Sequence, residues 1–133
     1  MGKHKWLEAT CVIALIYLAT AISSRAQTFI TLHSFNGTDG SYPDSGVVQG
    51  ADGNFYGTTG EGGTANLGTI FEMTPAGTLT TLQSFSGTNG SAPNGLVLGT
   101  DGKFYATTTT TVYSIVPGGT TVVLASVNGS QAH

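Results

Sequence analysis

Residues 31–41, TLHSFNGTDGS, return as TLQSFSGTNGS at 81–91, and this self-similarity constrains the fold more than any other feature of the chain. Pro43 matches Pro93. GVVQGADGNFY at 46–56 then matches GLVLGTDGKFY at 95–105, with one residue lost between the two stretches. TIFEMTPAGT at 69–78 matches TVYSIVPGGT at 111–120, and the loop Gly60–Leu67 is nearly absent from the second copy. A third, worn copy of Leu-x-Ser-x-x-Gly begins at Leu124. One short supersecondary unit cannot cover its own apolar face, so a chain of copies buries each unit against its neighbour.

Each copy reads as four short strands rich in Val, Ile, Thr, Phe and Tyr. In the first, Gly46–Gln49 and Asn54–Thr59 flank Ala51-Asp52-Gly53, where Asp-Gly between apolar runs signals a tight hairpin. Thr69–Thr74 and Thr78–Phe85 flank Pro75-Ala76-Gly77, a second turn signal. The second copy repeats the pattern at Gly95–Leu98, Lys103–Thr108, Thr111–Val116 and Thr120–Val127. Thr28–Phe35 is an orphan copy of the last strand. No segment after Ala26 carries a 3.6-residue apolar period, so the predicted class is all-β. Four-stranded units of this length fit propeller blades, which predicts two propeller-like blades plus an orphan N-terminal strand, an incomplete β-propeller. A β-sandwich of eight or nine strands is the alternative, although its strands need not recur as near-copies.

The start of the chain follows a different logic. Lys3, His4 and Lys5 precede an apolar run from Ala9 to Ile22, which ends at Ser24-Arg25-Ala26. That three-part layout predicts a secretory signal peptide cut after Ala26. The run is shorter than the ~20 residues a membrane-spanning helix needs. Cys11 lies near the beginning of the run rather than after it, which excludes a lipid-attachment site. The predicted domains are therefore a signal peptide at 1–26 and a β-repeat domain at 27–133, with units at roughly 45–85 and 95–127 and the orphan strand at 28–35.

After cleavage, a single Lys103 faces six carboxylates, and no cysteine remains. Such a balance repels nucleic acid and anionic lipid. It also leaves no disulfide framework and no cysteine for a zinc site. Charged residues make up 8% of the whole chain, well below the roughly 25% of an average globular domain.

The strings GTIFEMTPAGTLTTLQSFSGTNGSAPNGLVLGTDGKFYATT and TLHSFNGTDGSYPDSGVVQGADGNFYGTTGEGG resemble the GloVer tandem repeat of exported bacterial proteins. The resemblance spans roughly Thr28 to Val127. It implies a propeller-like, extracytoplasmic repeat protein, and it implies no catalytic residues. Members usually carry many repeats, often with a C-terminal anchoring segment, whereas this chain has two and an orphan strand. Two blades cannot close a ring. Three expectations stay open: a fragment of a longer gene, several chains assembling into one ring, or collapse into a compact sandwich.

The candidate ligand contacts are Tyr56, Tyr105, Asp39, Asp52 and Asp101. Phe55-Tyr56 and Phe104-Tyr105 are repeated aromatic pairs whose members point to opposite faces of a strand, so one of each pair is core and the other is free to stack on a sugar. Asp39, Asp52 and Asp101 each sit beside a glycine, and one carboxylate per loop falls short of the six to eight oxygens calcium takes, so turn formation is the simpler role. No metal, cofactor or catalytic residue is expected. His33 aligns with Gln83, and Asp44, Glu61 and Glu72 have no acidic counterpart in the second copy. The expected function is non-enzymatic, extracytoplasmic surface interaction or scaffolding through the loops Asn36–Asp44, Gly60–Leu67 and Ser86–Asn94. The expected partners are either further copies closing a ring or a glycan or other cell-surface ligand, with no nucleic acid and no membrane span. The competing expectation is a secreted carbohydrate-active or lyase-type propeller enzyme.

Overall fold

The computed structural model describes residues 26–127. The predicted signal peptide, apart from Ala26, lies outside the described residues, as do His133 and the end of the worn third copy. Two compact units divide the chain at Ile30 and Thr31. Of the first, residues 26–30 are described and have no regular structure. The second, from Thr31 onward, holds every strand of the described residues.

The described residues are all-β, without a helix. Strands β1 (Val48–Gln49), β2 (Phe55–Thr59), β3 (Thr69–Met73) and β4 (Leu79–Ser84) form one antiparallel sheet in sequence order. Strands β5 (Val97–Leu98), β6 (Phe104–Thr107), β7 (Thr111–Val116) and β8 (Thr120–Ser126) form a second sheet in the same order. Each β1-type and β2-type pair is joined by the Asp-Gly turn. In the first, the Gly50 N–H donates to the Asn54 carbonyl at 2.9 Å and Gly53 takes a φ of 85°. Positive φ at that position is what the Gly of the motif supplies. Pro75-Ala76-Gly77 closes the second hairpin, with the Thr74 N–H donating to the Thr78 carbonyl at 2.9 Å.

Register assigns the faces. Phe55, Gly57, Phe71 and Met73 lie on one face of the first sheet, and Tyr56, Thr58 and Ile70 lie on the other. We call these its front and back. The second sheet repeats the division, with Phe104, Ala106, Tyr113 and Ile115 in front and Tyr105, Thr107 and Val112 behind. The back of the first sheet packs on the front of the second. Tyr56 and Ile70 join Phe104, Ala106, Tyr113 and Ile115 in a single buried cluster, completed by Phe85 and Leu96 from the connection between the sheets. The Tyr56 and Phe104 rings are 4.4 Å apart between centroids. The aromatic pair thus splits oppositely in the two copies. Tyr56 is fully buried and Phe55 half-buried, whereas Phe104 is fully buried and Tyr105 half-buried.

The orphan strand does not form. Thr28–Phe35 joins no ladder among the described residues. Its sequence copies β4, but β4 is a strand because it pairs with β3 through five register pairs. No described strand stands where the corresponding partner of Thr28–Phe35 would lie. Side chains still hold the segment's end, because the Phe35 ring meets Phe71 edge-on at 5.3 Å. Phe85 meets Tyr113 in the same way at 5.4 Å. Residues from Thr31 onward therefore lean on the front of the first sheet as the matching connection leans on the second.

Candidate functional site

The Asp-Gly turns are closed by their own tyrosines. The Tyr56 hydroxyl donates to the Asp52 carboxylate at 2.6 Å, and the other carboxylate oxygen accepts the Asn54 N–H at 3.2 Å. Asp101 repeats both contacts with Tyr105, at 2.7 Å, and with the Lys103 N–H, at 3.2 Å. Tyr56 also accepts the Gly118 N–H at 3.0 Å, which ties the first sheet to the β7–β8 turn of the second. Burial, then the bond to Asp52, pushes the Tyr56 hydroxyl up to about 12. The bond to Asp101, then burial, raises Tyr105. The same bond, with the Lys103 N–H, holds Asp101 below the usual carboxylate range.

These contacts decide several candidates. Tyr56 is enclosed beneath Phe104 and offers no surface for stacking. Its hydroxyl and ring both serve the junction. Tyr105 keeps part of its ring open. Asp52 and Asp101 are turn residues whose oxygens are already engaged. Asp39 accepts from the Asn36 N–H at 2.9 Å and lies 2.8 Å from His33 Nε2. Burial opposes its ionisation, but the Asn36 N–H and His33 outweigh it and leave its pKa lowered. His33 is thereby paired within its own loop. Glu72 accepts from Asn54 Nδ2. No three His, Cys, Asp or Glu residues converge as a metal site among the described residues.

The three variable loops meet at one end of the sheets. Ser41 and Glu61 exchange backbone hydrogen bonds at 2.9 and 3.1 Å, and the Gly63 N–H donates to the Gly37 carbonyl at 2.9 Å. The Ala92 N–H donates to the Leu67 carbonyl at 2.9 Å, which brings the third loop to the second. Beneath them lies a buried hydroxyl pair. Thr59 and Thr69 are bonded at 2.8 Å, and Thr69 also donates to the Asp39 carbonyl at 3.2 Å. Thr108 and Thr111 repeat the pair at 2.6 Å, with Thr111 donating to the Asn89 carbonyl at 3.2 Å. Gly40 takes a φ of 137° over the first pair, where a Cβ would come within 2.7 Å of both Thr59 terminal atoms. The glycine in each Thr-x-Gly-Ser motif is there to let the loop descend onto those hydroxyls.

Between the loops is a polar cleft of about 230 Å³, lined by Asp44, Ser45, Thr58, Gly60, Pro93, Asn94 and Gly95. Ser45 and Thr58 hydroxyls are bonded across its floor at 3.0 Å. Asn94 is pinned by its N–H to the Thr107 carbonyl at 2.8 Å, and its side chain is exposed. The Tyr42 carbonyl accepts the N–H groups of two lining residues, Gly60 and Asp44, at 2.9 Å, and Tyr42 is 65% exposed. Its φ is 53°, a left-handed conformation that costs an aromatic residue energy. Ala92 occupies the equivalent position with a φ of 45°. The arrangement suits binding: a carboxylate, an amide and two hydroxyls line a shallow cleft, and an exposed tyrosine is carried by the same loop.

Tyr42 and Asn94 fall within the expected recognition loops Asn36–Asp44 and Ser86–Asn94, but neither is repeated in both units, so neither stands out as a site residue in the sequence. The available signal was the opposite one, a Tyr in one copy against Ala in the other at a loop position next to a shared Pro. No helix among the described residues is long and apolar enough to cross a membrane.

A family model described as the Gloeobacter/Verrucomicrobia repeat matches residues 18–133. That family is the one the repeated motifs resemble. No curated protein and no solved structure matches the chain.

Proposed function

The chain belongs to the Gloeobacter/Verrucomicrobia repeat family, and on that premise we propose that it is a non-enzymatic, extracytoplasmic repeat protein that works by recognition through its loops. Its two sheets act as propeller-like blades, a rigid support for the cleft between Asn36–Asp44, Gly60–Leu67 and Ser86–Asn94. Export is inferred from the signal-like layout of residues 1–26. The ligand class is a neutral carbohydrate. A surface of six carboxylates and one lysine in residues 27–133 disfavours anionic ligands. A sugar presents an apolar ring face and outward hydroxyls; Asp44, Ser45 and Asn94 of the cleft match the hydroxyls, and the exposed Tyr42 two residues before Asp44 supplies a face for the ring.

The observation that carries this reading is Tyr42, an aromatic residue kept exposed in a left-handed conformation, whose carbonyl holds the Asp44 and Gly60 N–H groups of the cleft. Strained residues held by their surroundings concentrate at binding sites. The test is a neutral-glycan array followed by calorimetry on the full chain and on Tyr42→Ala. The expected result is saturable binding that Tyr42→Ala weakens at least about tenfold. Binding unaffected by Tyr42→Ala and by Asn94→Ala overturns the cleft. Turnover of a bound glycan overturns the non-enzymatic reading in favour of a carbohydrate-active enzyme.

A further inference from the structure

The two sheets stack front to back, so one front and one back are left over. At the internal junction, Val48, Tyr56 and Ile70 from the back of the first sheet meet a receiving set that includes Phe85, Leu96, Tyr113 and Ile115. The repeat supplies both halves again. The counterparts of the receiving set are Phe35, Val47, Phe71 and Met73, which line an apolar cavity of about 340 Å³ on the front of the first sheet. Pro43 also lines it and is exposed, whereas its counterpart Pro93 is buried. The counterparts of the inserted set are Val97, Tyr105 and Val112 on the back of the second sheet. Val97 is 67% exposed where Val48 is packed, and Tyr105 is half-open where Tyr56 is enclosed.

We infer that copies of this chain associate head to tail, with Val97, Tyr105 and Val112 of one copy seated in the cavity formed by Phe35, Val47, Phe71 and Met73 of the next. The occupant is a second copy because socket and insert are duplicates of groups already mated inside one chain. Charge agrees. Glu72, half-buried on the back of the first sheet, is replaced by Ser114 on the back of the second, so no carboxylate is buried at that position, and Asp101 accompanies Tyr105 as Asp52 accompanies Tyr56. The contact uses two different surfaces, so it propagates into a ring or an open stack according to its rotation. Leu124, counterpart of Leu82, then takes the position against Gly77 that the Leu32 backbone holds in the single chain. Residues 31–34 are released as the copies dock. The inference does not rest on the loop cleft, although Ser45 lines both cavities.

The experiment is sedimentation equilibrium on the full chain and on Val97→Asp, with circular dichroism as the check on folding. Val97 is exposed, so its replacement leaves the β signal unchanged. In a Cys11→Ser background, Phe55→Cys and Tyr105→Cys proteins are also mixed and oxidised. Phe55 and Tyr105 are the counterparts of Phe104 and Tyr56, which touch at the internal junction. The expected results are mass multiples that grow with concentration, at least about tenfold weaker association for Val97→Asp, and a disulfide joining positions 55 and 105. A wild-type chain that stays monomeric overturns the inference. So does Val97→Asp associating as well as wild type, or a mixture dominated by 55–55 and 105–105 disulfides.

Discussion

The Tyr56 ring lies against Phe104 at 4.4 Å between centroids and 31° between planes, while its hydroxyl bridges Asp52 of its own sheet and Gly118 of the other. One side chain therefore closes a turn, fills a core and joins two sheets. Its counterpart Tyr105 closes only the turn.

That inequality fixes a pair of mutational outcomes. Tyr56→Ala removes a fully buried ring and leaves a cavity at the junction, at a cost of about 3–5 kcal/mol. Tyr105→Ala loses a partly exposed ring and one hydrogen bond, for about 1 kcal/mol or less. Denaturant unfolding of the two variants measures the difference, and equal losses would mean that the sheets do not pack through this face.

Tyr56→Phe keeps the ring and deletes the hydroxyl, leaving the Gly118 N–H without that acceptor, for about 1–2 kcal/mol. Its pH signature is separate. The Tyr56 hydroxyl is raised from 10.0 to about 12, so in that interval the folded chain holds a proton that the unfolded chain has lost. The contribution is complete below pH 10 and disappears as pH rises through about 12. Stability measured across this window falls steeply for the wild type and less steeply for Tyr56→Phe.

Gly40→Ala and Gly46→Ala are the same substitution with opposite expectations. At Gly40 the new Cβ meets Thr59 at 2.6 Å and the φ of 137° disfavours any side chain, so the loss is about 2 kcal/mol or more. At Gly46 nothing lies within 4 Å and φ is not positive, so the change is neutral or stabilising by up to about 1 kcal/mol. Thermal unfolding of the two proteins separates them.

Much of this was legible in the sequence. Thr111–Val116 is a strand at its predicted bounds, and the other seven predicted strands are trimmed by one or two residues at an end or at both. The turn chemistry of Asp-Gly and Pro-x-Gly is local, so the motif carries it. The loose alternation along Leu79–Phe85 has a cause that pattern alone does not reveal. The register shifts between Ile70 and Phe71, opposite Leu82, so the strand changes phase midway. Thr28–Phe35 misled because similarity to a strand is not a partner for one. Among the proposed contacts, the sequence paired each Tyr with an adjacent Phe but not with the Asp of its own turn. Which Tyr is enclosed depends on whether a further sheet packs against its face, and among the described residues only the first sheet has such a neighbour.

Tyr42 sets stability against binding. Tyr42→Gly relieves the left-handed backbone and gains about 1 kcal/mol. It also deletes the exposed ring, so on the proposed function glycan affinity drops as the melting temperature rises. A variant that loses stability instead would mean that the φ of 53° is not strained in its loop.

Because each junction is made from the back of one unit and the front of the next, a gene that gains a unit by duplication gains one complete junction with it. Stability then climbs in equal steps with copy number, as in other linear arrays.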